Sequence, residues 1–173
     1  ANGNYVVNGD FSVNEDLTDD KDWTFLTTLG GVAEAYVKNN EIVVSTTDDG
    51  TVDYSVQLVQ PNLPMKQGGV YQVSFDAYAD EARSMKVGVS APDRSYRRYL
   101  EDTTVDLTTE KKTYTLDFTM TDSDDANGRL EFNMGATGST AGIHISNVSL
   151  KKTKEIEITE GDKVDITVAP KGF

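Results

Sequence analysis

The chain has 173 residues, 37% hydrophobic and 26% charged, which is typical of one soluble globular domain with a short tail. Its 29 acidic and 16 basic residues give a net charge of −13, so nucleic acid, anionic membranes and acidic polysaccharides are unfavourable partners. Because there is no cysteine and only one histidine, disulfides, thiolate metal sites and multi-histidine centres are excluded.

Strands dominate the elements that the sequence predicts. The first clear pattern, "VAEAYVKNNEIVVSTT" at 32–47, indicates two strands around a turn at 38–40. Alternation of apolar and polar residues predicts further strands at 53–60, 70–79, 84–90, 112–121, 129–135 and 142–152. Turn signals separate them at 48–50, 66–69, 91–93 and 124–128. This spacing predicts an all-β fold, an antiparallel β-sandwich of jelly-roll type. We expect a β-sandwich domain over residues 1–153, followed by an edge strand or linker over 154–173.

The strand at 129–135 raises the question of a binding site. Three of its side chains are apolar and are predicted to face the core: Leu130, Phe132 and Met134. The alternate side chains are polar and share the opposite face: Arg129, Glu131 and Asn133. By pattern alone, this polar face is either solvated surface or the floor of a binding site.

Signals for catalysis are weak. The only histidine, His144, lies between two isoleucines and is predicted to face away from the core as a surface residue. Glu131 could form an acid–base pair with Asp76 or Glu34, but surface charge is the simpler interpretation in so acidic a chain. Neither a phosphate loop nor a dinucleotide fingerprint is present.

Signals for binding are stronger, because several tyrosines fall where a core does not need them. Tyr96 and Tyr99 lie in the polar, arginine-rich segment "DRSYRRYLED" at 93–102, and Tyr54 lies at the start of a predicted strand. A pyranose has an apolar face that stacks on an aromatic ring, and hydroxyls that bond to amides, carboxylates and guanidinium groups. The alternative is that Tyr96 and Tyr99 only pack against a neighbouring loop.

The order of several short motifs resembles the family 4 carbohydrate-binding modules, whose sister families 9, 16 and 22 share much of the pattern. The motifs cover residues 5–152 and include "NGDF" (8–11), "DWTF" (22–25), "YSVQLVQ" (54–60), "YQVSFDAYA" (71–79), "ANGRLEFNMG" (126–135) and "IHISNVSL" (143–150). The resemblance implies a jelly roll with one concave sheet that forms a cleft for a single soluble glycan chain. It also implies a noncatalytic, extracellular, monomeric module covalently attached to a glycoside hydrolase such as a laminarinase, cellulase or xylanase.

The resemblance assigns the site residue by residue. Tyr54 and Tyr96, with Tyr99 as a further candidate, match aromatic side chains at the cleft walls. The polar candidates for the cleft are Gln57, Arg129, Glu131 and Asn133, where Glu131 either braces Arg129 or accepts a sugar hydroxyl. Lys86 and Tyr78 are predicted to face outward from their strands and are secondary candidates.

Two positions depart from the family pattern. Leu26 stands where many members carry an aromatic residue, so one stacking platform is missing. Relatives usually hold a structural calcium through two carboxylates, at positions that are Ser12 and Ser146 here. Calcium prefers several carboxylate oxygens, so we expect no required cofactor and at most a weak calcium site near Asp10, Ser12 and Ser146.

The leading hypothesis is therefore a module that binds a neutral β-linked polysaccharide or oligosaccharide, with β-1,3- or mixed-linkage β-glucan favoured. The alternatives are the same type of module binding xylan or amorphous cellulose, a structural or adhesion sandwich without a sugar site, and a jelly-roll enzyme that degrades polysaccharide.

Overall fold

A computed structural model describes residues 3–158 of the chain. Within this range the chain forms ten strands and two short 3₁₀ turns, Asp53–Ser55 and Pro92–Arg94. The strands are β1 Thr24–Thr27, β2 Gly31–Lys38, β3 Glu41–Asp49, β4 Val56–Met65, β5 Gly69–Ala79, β6 Arg83–Ala91, β7 Arg97–Leu107, β8 Lys112–Thr119, β9 Asp125–Asn133 and β10 Ile143–Glu155.

The strands form two five-stranded antiparallel sheets. Sheet A has the order β1-β4-β9-β6-β7, and sheet B has the order β2-β3-β10-β5-β8. One face of each sheet packs against the other sheet, and the opposite face points outward. This arrangement explains why apolar and polar residues alternate along the strands. The predicted all-β sandwich is confirmed.

The core lies between the two sheets and is built on aromatic rings. Phe132 of β9 meets Phe75 of β5 edge-on with ring centroids 5.2 Å apart, and Trp23 packs on its other side at 6.3 Å. All three are fully buried, and the Trp23 indole donates a 3.0 Å hydrogen bond to the carbonyl of Asn8. The prediction that Leu130, Phe132 and Met134 face the core is confirmed, because none of them is exposed.

Three details differ from the sequence prediction. The strand expected at 53–60 begins only at Val56, so Tyr54 lies in the preceding 3₁₀ turn. The segment 93–102, expected to be a polar loop, contributes most of its residues to β7. The turn expected at 124–128 is wrong, because β9 starts at Asp125.

The C-terminal strand continues through the boundary that we expected at residue 153. β10 ends at Glu155, and the backbone amide of Ile156 donates a 2.7 Å hydrogen bond to the carbonyl of Gly68. Residues 159–173 of the expected edge strand or linker lie outside the described residues. Among residues 3–158, no helix is long and apolar enough to cross a membrane.

Truncation of the central ring should destabilise the sandwich strongly. We expect Phe132→Ala to lower the free energy of unfolding by about 3–5 kcal/mol, because it removes buried contacts and leaves a cavity between the sheets. Urea unfolding of both proteins measures the difference. The exposed Val32 gives a control, Val32→Ala, which should change stability by less than about 0.5 kcal/mol. Equal stability of Phe132→Ala and the wild type would contradict this account of the core.

Candidate functional site

The outer face of sheet A carries aligned rows of polar side chains, which we call the sheet A face. The strand register places Gln57 of β4 beside Asn133 of β9, and Asn133 beside Lys86 of β6. The next row along the strands places Glu131 beside Gly88, and the third places Arg129 beside Ser90. Ser90 in turn pairs with Arg98 of β7. The expected shared face of Arg129, Glu131 and Asn133 is therefore present, and it extends over four strands.

Glu131 is the centre of this face, although it has no solvent exposure at all. One carboxylate oxygen accepts hydrogen bonds from the Ser90 hydroxyl at 2.5 Å and from Nε and Nη2 of Arg129 at 3.0 and 2.6 Å. The other accepts from the Asn133 amide at 3.1 Å and forms an ion pair with Nη1 of Arg98, also at 3.1 Å. We call these five residues the Glu131 cluster. Because Glu131 is fully covered by its partners, its geometry is that of a brace for Arg129.

The ionisation of Glu131 is set by two opposing effects. Burial raises its pKa, since a charged carboxylate loses its hydration. The Ser90 hydroxyl, the Arg129 guanidinium and the Asn133 amide all favour the charged form, and together they hold the pKa of Glu131 below its ordinary value. Glu131 is therefore an ionised, fully paired carboxylate and not a proton donor poised for acid catalysis.

A second carboxylate, Asp102 of β7, lies beside the cluster. Arg98 bridges the two acids, with its Nε 3.3 Å from Asp102 Oδ1. Burial and the neighbouring Asp53 and Glu131 carboxylates raise the pKa of Asp102, against the opposing effect of Arg98. Gly88 makes room for this arrangement, because a Cβ on Gly88 would lie 2.4 Å from Asp102 Oδ1.

Tyr54 lies at one end of the sheet A face. The Gln57 amide donates a 2.8 Å hydrogen bond to the Asn133 side chain, and both residues are buried. Beyond them, Lys86 forms a 3.6 Å ion pair with Asp53. Tyr54, which follows Asp53, is 46% exposed. A groove of about 560 Å³ opens here between Tyr54, Lys86 and the segment 135–137.

Tyr96 lies toward the opposite end of the face. It is 53% exposed, and its ring covers the Arg129 guanidinium with 4.9 Å between the guanidinium carbon and the ring centroid. Ser95 and Tyr96 both have φ of 57°, a left-handed conformation that non-glycine residues adopt only where the surroundings enforce it. Arg94 ties this turn to the neighbouring loop, since it donates to the backbone carbonyls of Ser123 and Asp124 at 2.9 and 2.7 Å.

Tyr99 is placed differently from the other candidate tyrosines. Its ring packs against the hydrophobic core, and its hydroxyl donates a 2.6 Å hydrogen bond to Asp125 while accepting one from Arg94. Burial, together with the Asp125 carboxylate, raises the pKa of Tyr99 to about 12. The structure thus gives Tyr99 an anchoring position beneath the Tyr96 turn and does not bring it to the sheet A face.

The remaining candidates separate between the two sheets. Lys86 lies on the sheet A face, and Leu26 extends the Gln57 row at 39% exposure. Tyr78 belongs to sheet B, where it stacks on His144 with ring centroids 4.2 Å apart. Asp76 and Glu34 also lie on sheet B, so neither is brought together with Glu131 as an acid–base pair.

Sequence reasoning missed three members of the site: Ser90, Arg98 and Asp102. The alternation that places Lys86 outward also places Ser90 outward, four residues later on β6, so the sequence pattern predicts the position of Ser90. Arg98 and Asp102 were hidden because their segment was interpreted as a loop, whereas it forms the edge strand of sheet A.

Of the three residues at the expected calcium site, Asp10, Ser12 and Ser146, only Asp10 carries a carboxylate. Asp10 accepts a 3.1 Å hydrogen bond from the Ser12 backbone, and the buried Ser146 hydroxyl has no hydrogen-bond partner. The nearby Glu15 carboxylate already accepts from the Asn8 side chain and the Trp23 backbone. Over residues 3–158, no group of three or more acidic or histidine side chains is arranged to hold a metal, whereas calcium prefers six to eight oxygens with several carboxylates.

Loss of the central carboxylate should destabilise the domain in a pH-dependent way. We expect Glu131→Gln to lower the free energy of unfolding at pH 7 by about 3 kcal/mol, because it removes the buried counter-charge of two partly buried guanidinium groups, those of Arg98 and Arg129. The folded-state pKa of Glu131 lies below its unfolded value, so ionised Glu131 stabilises the fold above about pH 4.3. This contribution is lost as the pH falls through the folded-state pKa.

Urea unfolding of the wild type and Glu131→Gln between pH 7 and pH 3 measures this effect. The difference in stability should shrink in the acidic part of the range, whereas Glu34→Gln, at an exposed glutamate of sheet B, should match the wild type throughout. A Glu131→Gln difference that is the same at every pH would contradict the assigned ionisation.

Comparison with known proteins places the chain in a family. Residues 3–142 match the family model described as a carbohydrate binding domain, of families 4 and 9. No curated protein matches the sequence. A solved CBM4 structure has a TM-score of 0.78 and 22% identity, covering 86% of this chain and 99% of that one.

Two further structures share the fold. The second N-terminal cellulose-binding domain of Cellulomonas fimi β-1,4-glucanase C has a TM-score of 0.62 and 23% identity, covering 88% of this chain and 96% of that one. The Clostridium thermocellum xylanase 10B CBM22-1–GH10 modules, complexed with xylohexaose, have a TM-score of 0.59 and 16% identity, covering 88% of this chain and 29% of that one. On the match over residues 3–142, the chain belongs to the carbohydrate-binding domains of families 4 and 9.

Proposed function

We propose that this domain is a noncatalytic module that binds a single chain of a neutral β-linked glycan along the sheet A face. The observation that carries the proposal is the placement of two half-exposed tyrosines, Tyr54 and Tyr96, toward opposite ends of one polar face. The Asn133 row and the Arg129 row are four residues apart on β9, a distance of about 13 Å at the usual strand rise. A face of that length accommodates more than one sugar unit between the tyrosines.

The charge of the face supports a neutral ligand. Its basic groups are each paired with an acid: Lys86 with Asp53, Arg98 with Asp102 and Glu131, and Arg129 with Glu131. The face has three basic and three acidic groups, so its net charge is zero although the net charge of the chain is −13. Neither an anionic nor a cationic ligand would find an uncompensated partner there.

The chemistry of the exposed groups also fits a sugar. The open faces of Tyr54 and Tyr96 suit the apolar face of a pyranose. Arg129 uses Nε and Nη2 for Glu131, and in this proposal its Nη1 donates to a ligand hydroxyl. Asp102, whose side chain is 27% exposed, supplies an acceptor. In this arrangement Glu131 and Asn133 hold the donors in place and do not contact the sugar.

Within this function, β-1,3- or mixed-linkage β-glucan is our preferred ligand, on the sequence resemblance to laminarinase-attached modules. Cellulose and xylan are the alternatives. The cellulose-binding and xylohexaose-bound relatives make both of them necessary members of any test. We further propose that the module is monomeric and extracellular, and that it concentrates an attached glycoside hydrolase on its polysaccharide.

Removal of either exposed tyrosine should weaken binding without unfolding the domain. We expect Tyr54→Ala and Tyr96→Ala each to cost about 1–3 kcal/mol of binding free energy, by extrapolation from nucleic-acid bases that stack on aromatic side chains. Isothermal titration calorimetry with laminarin, barley β-glucan, hydroxyethylcellulose and xylan measures the loss and also ranks the linkages.

Val32→Ala serves as the matched control, because it truncates an exposed apolar side chain on sheet B. It should bind as the wild type does. If none of the four polysaccharides bound the wild type, or if both tyrosine variants bound as tightly as the control, the sheet A face would not be the binding site. The structural or adhesion alternative would then be favoured.

Binding should depend little on ionic strength. A neutral ligand displaces no counterions, so screening of the protein's charges by salt has little effect on its binding. We expect the dissociation constant for the preferred polysaccharide to change by less than about twofold between about 50 and 500 mM NaCl. Acetate, which is anionic, should not compete. A steep loss of affinity with salt would instead indicate a charged ligand.

A further inference from the structure

A second set of aromatic residues lies on the outer face of sheet B, away from the sheet A face. The strand register aligns Tyr36 of β2, Val43 of β3, His144 of β10 and Tyr78 of β5 in one row across four neighbouring strands. The neighbouring outward positions of β5 and β8 carry short polar side chains, such as Ser74 paired with Thr115. The aromatic row is therefore a local exception on a polar surface.

The inner part of this row is fixed by its own contacts. The rings of Tyr78 and His144 are stacked in parallel, with an interplanar angle of 3°. Glu41 accepts a 3.1 Å hydrogen bond from the Tyr78 hydroxyl and lies 3.2 Å from His144 Nδ1, while Asp80 lies 2.9 Å from His144 Nε2. These contacts hold His144 in one orientation.

Tyr36, at the outer end of the row, is free by comparison. It is 48% exposed, and among the described residues no other aromatic ring packs on it. The face of an exposed aromatic ring can stack on the apolar face of a pyranose. Tyr36 is thus a third half-exposed tyrosine, alongside Tyr54 and Tyr96, but on the opposite sheet.

A groove of about 590 Å³ lies between Tyr36 and the segment that joins β9 to β10. Its polar lining includes the side chains of Asp80, Glu81, Ser139 and Thr140, and His144 lies at its floor. The Asp80 side chain is 64% exposed. The groove therefore combines one open aromatic ring with carboxylate and hydroxyl groups around it.

The loop that forms the wall of this groove is held rigidly. The buried Arg83 guanidinium donates to the backbone carbonyls of Ala141 and Met134 at 2.7 and 3.0 Å, and to the Thr137 hydroxyl at 3.1 Å. The Gly138 amide donates to Asp49 at 2.8 Å. Because the wall is already ordered, a ligand would not have to order it on binding.

We propose that this groove is a second saccharide-binding site, in which a pyranose stacks on Tyr36 and its hydroxyls bond to Asp80, Glu81 and Ser139. The carboxylates of Glu34, Glu41, Asp80 and Glu81 on this part of the surface disfavour anionic sugars, so the ligand is a neutral saccharide. The connection between β9 and β10 separates the two sites, since residues 135–137 line the groove at Tyr54 and residues 138–142 line the groove at Tyr36. A module with both sites contacts polysaccharide on two faces, which increases its retention there.

The only histidine of the chain lies in this groove and provides a selective reporter. In the full chain, the imidazole resonances of His144 can be followed by NMR at fixed pH during titration with laminarihexaose, cellohexaose or xylohexaose. The Tyr54→Ala/Tyr96→Ala variant removes both stacking rings of the sheet A face. We expect at least one hexaose to shift the His144 signals saturably in both the wild type and this double variant.

Substitutions of Tyr36 test the stacking directly. Tyr36→Ala should weaken the His144-reported affinity by at least about tenfold, as loss of one aromatic stack predicts, whereas Tyr36→Phe should keep it within about threefold. Neither variant should alter the affinity of the sheet A face or the thermal midpoint of unfolding.

Three outcomes would overturn the second site. In the first, the His144 signals do not change with any of the three hexaoses. In the second, the shift of these signals disappears in the Tyr54→Ala/Tyr96→Ala variant, which would make the shift a relayed effect of the first site. In the third, tetramethylammonium shifts the His144 signals as strongly as the hexaose does and this shift depends on Tyr36, which would make the groove a cation site. Failure of the sheet A proposal is recognised separately, because it appears as an unchanged polysaccharide affinity in Tyr54→Ala and Tyr96→Ala.

Discussion

The buried carboxylate of Glu131 is the interaction on which the sheet A face depends. A charge without solvent exposure is stable only when it is fully paired, and its partners come from three adjacent strands, β9, β6 and β7. Glu131 fixes Arg129, and Arg129 lies beneath the Tyr96 ring. Glu131 also fixes Arg98, which in turn holds Asp102. One carboxylate therefore sets the positions of the polar groups that face solvent and of one exposed tyrosine.

The backbone around this cluster is built to make the arrangement possible. Gly88 leaves the space that Asp102 occupies, so a side chain from the edge strand β7 reaches over the neighbouring strand β6. The left-handed Ser95 and Tyr96 are held by Arg94, and Tyr99 and Asp125 support the same turn from the core side. Since these constraints are contacts within the protein itself, they favour a preorganised face, which reduces the conformational entropy lost when a partner binds.

Alternation along β9 was sufficient to predict both its core residues and its polar face, because a strand buried on one side repeats every two residues. The same rule failed for β7. Its segment is rich in arginine and acid because it is an edge strand, and the register shifts between Val89–Leu100 and Ser90–Arg98, so alternation does not carry through Tyr99. The sequence left two roles open for Glu131, a brace for Arg129 or a ligand for a sugar hydroxyl. The choice depends partly on Arg98, which a distant strand brings within 3.1 Å of Glu131.

The internal pairing of the sheet A face has a consequence for its proposed function. Most of its donors and acceptors already have protein partners, so a sugar hydroxyl finds only a few free groups to bond. Each such bond replaces a hydrogen bond to water, so its net contribution to the binding free energy is small. The larger share of the binding energy then comes from the tyrosine rings, whose stacking does not distinguish one neutral pyranose from another. Selection among linkages must follow from the fixed positions of Tyr54 and Tyr96, because only a chain whose curvature presents two apolar faces at those positions engages both rings. A rigid polar face with few unpaired donors and acceptors is thus compatible with reversible binding. In that case the geometry of the two rings determines which glycan is retained.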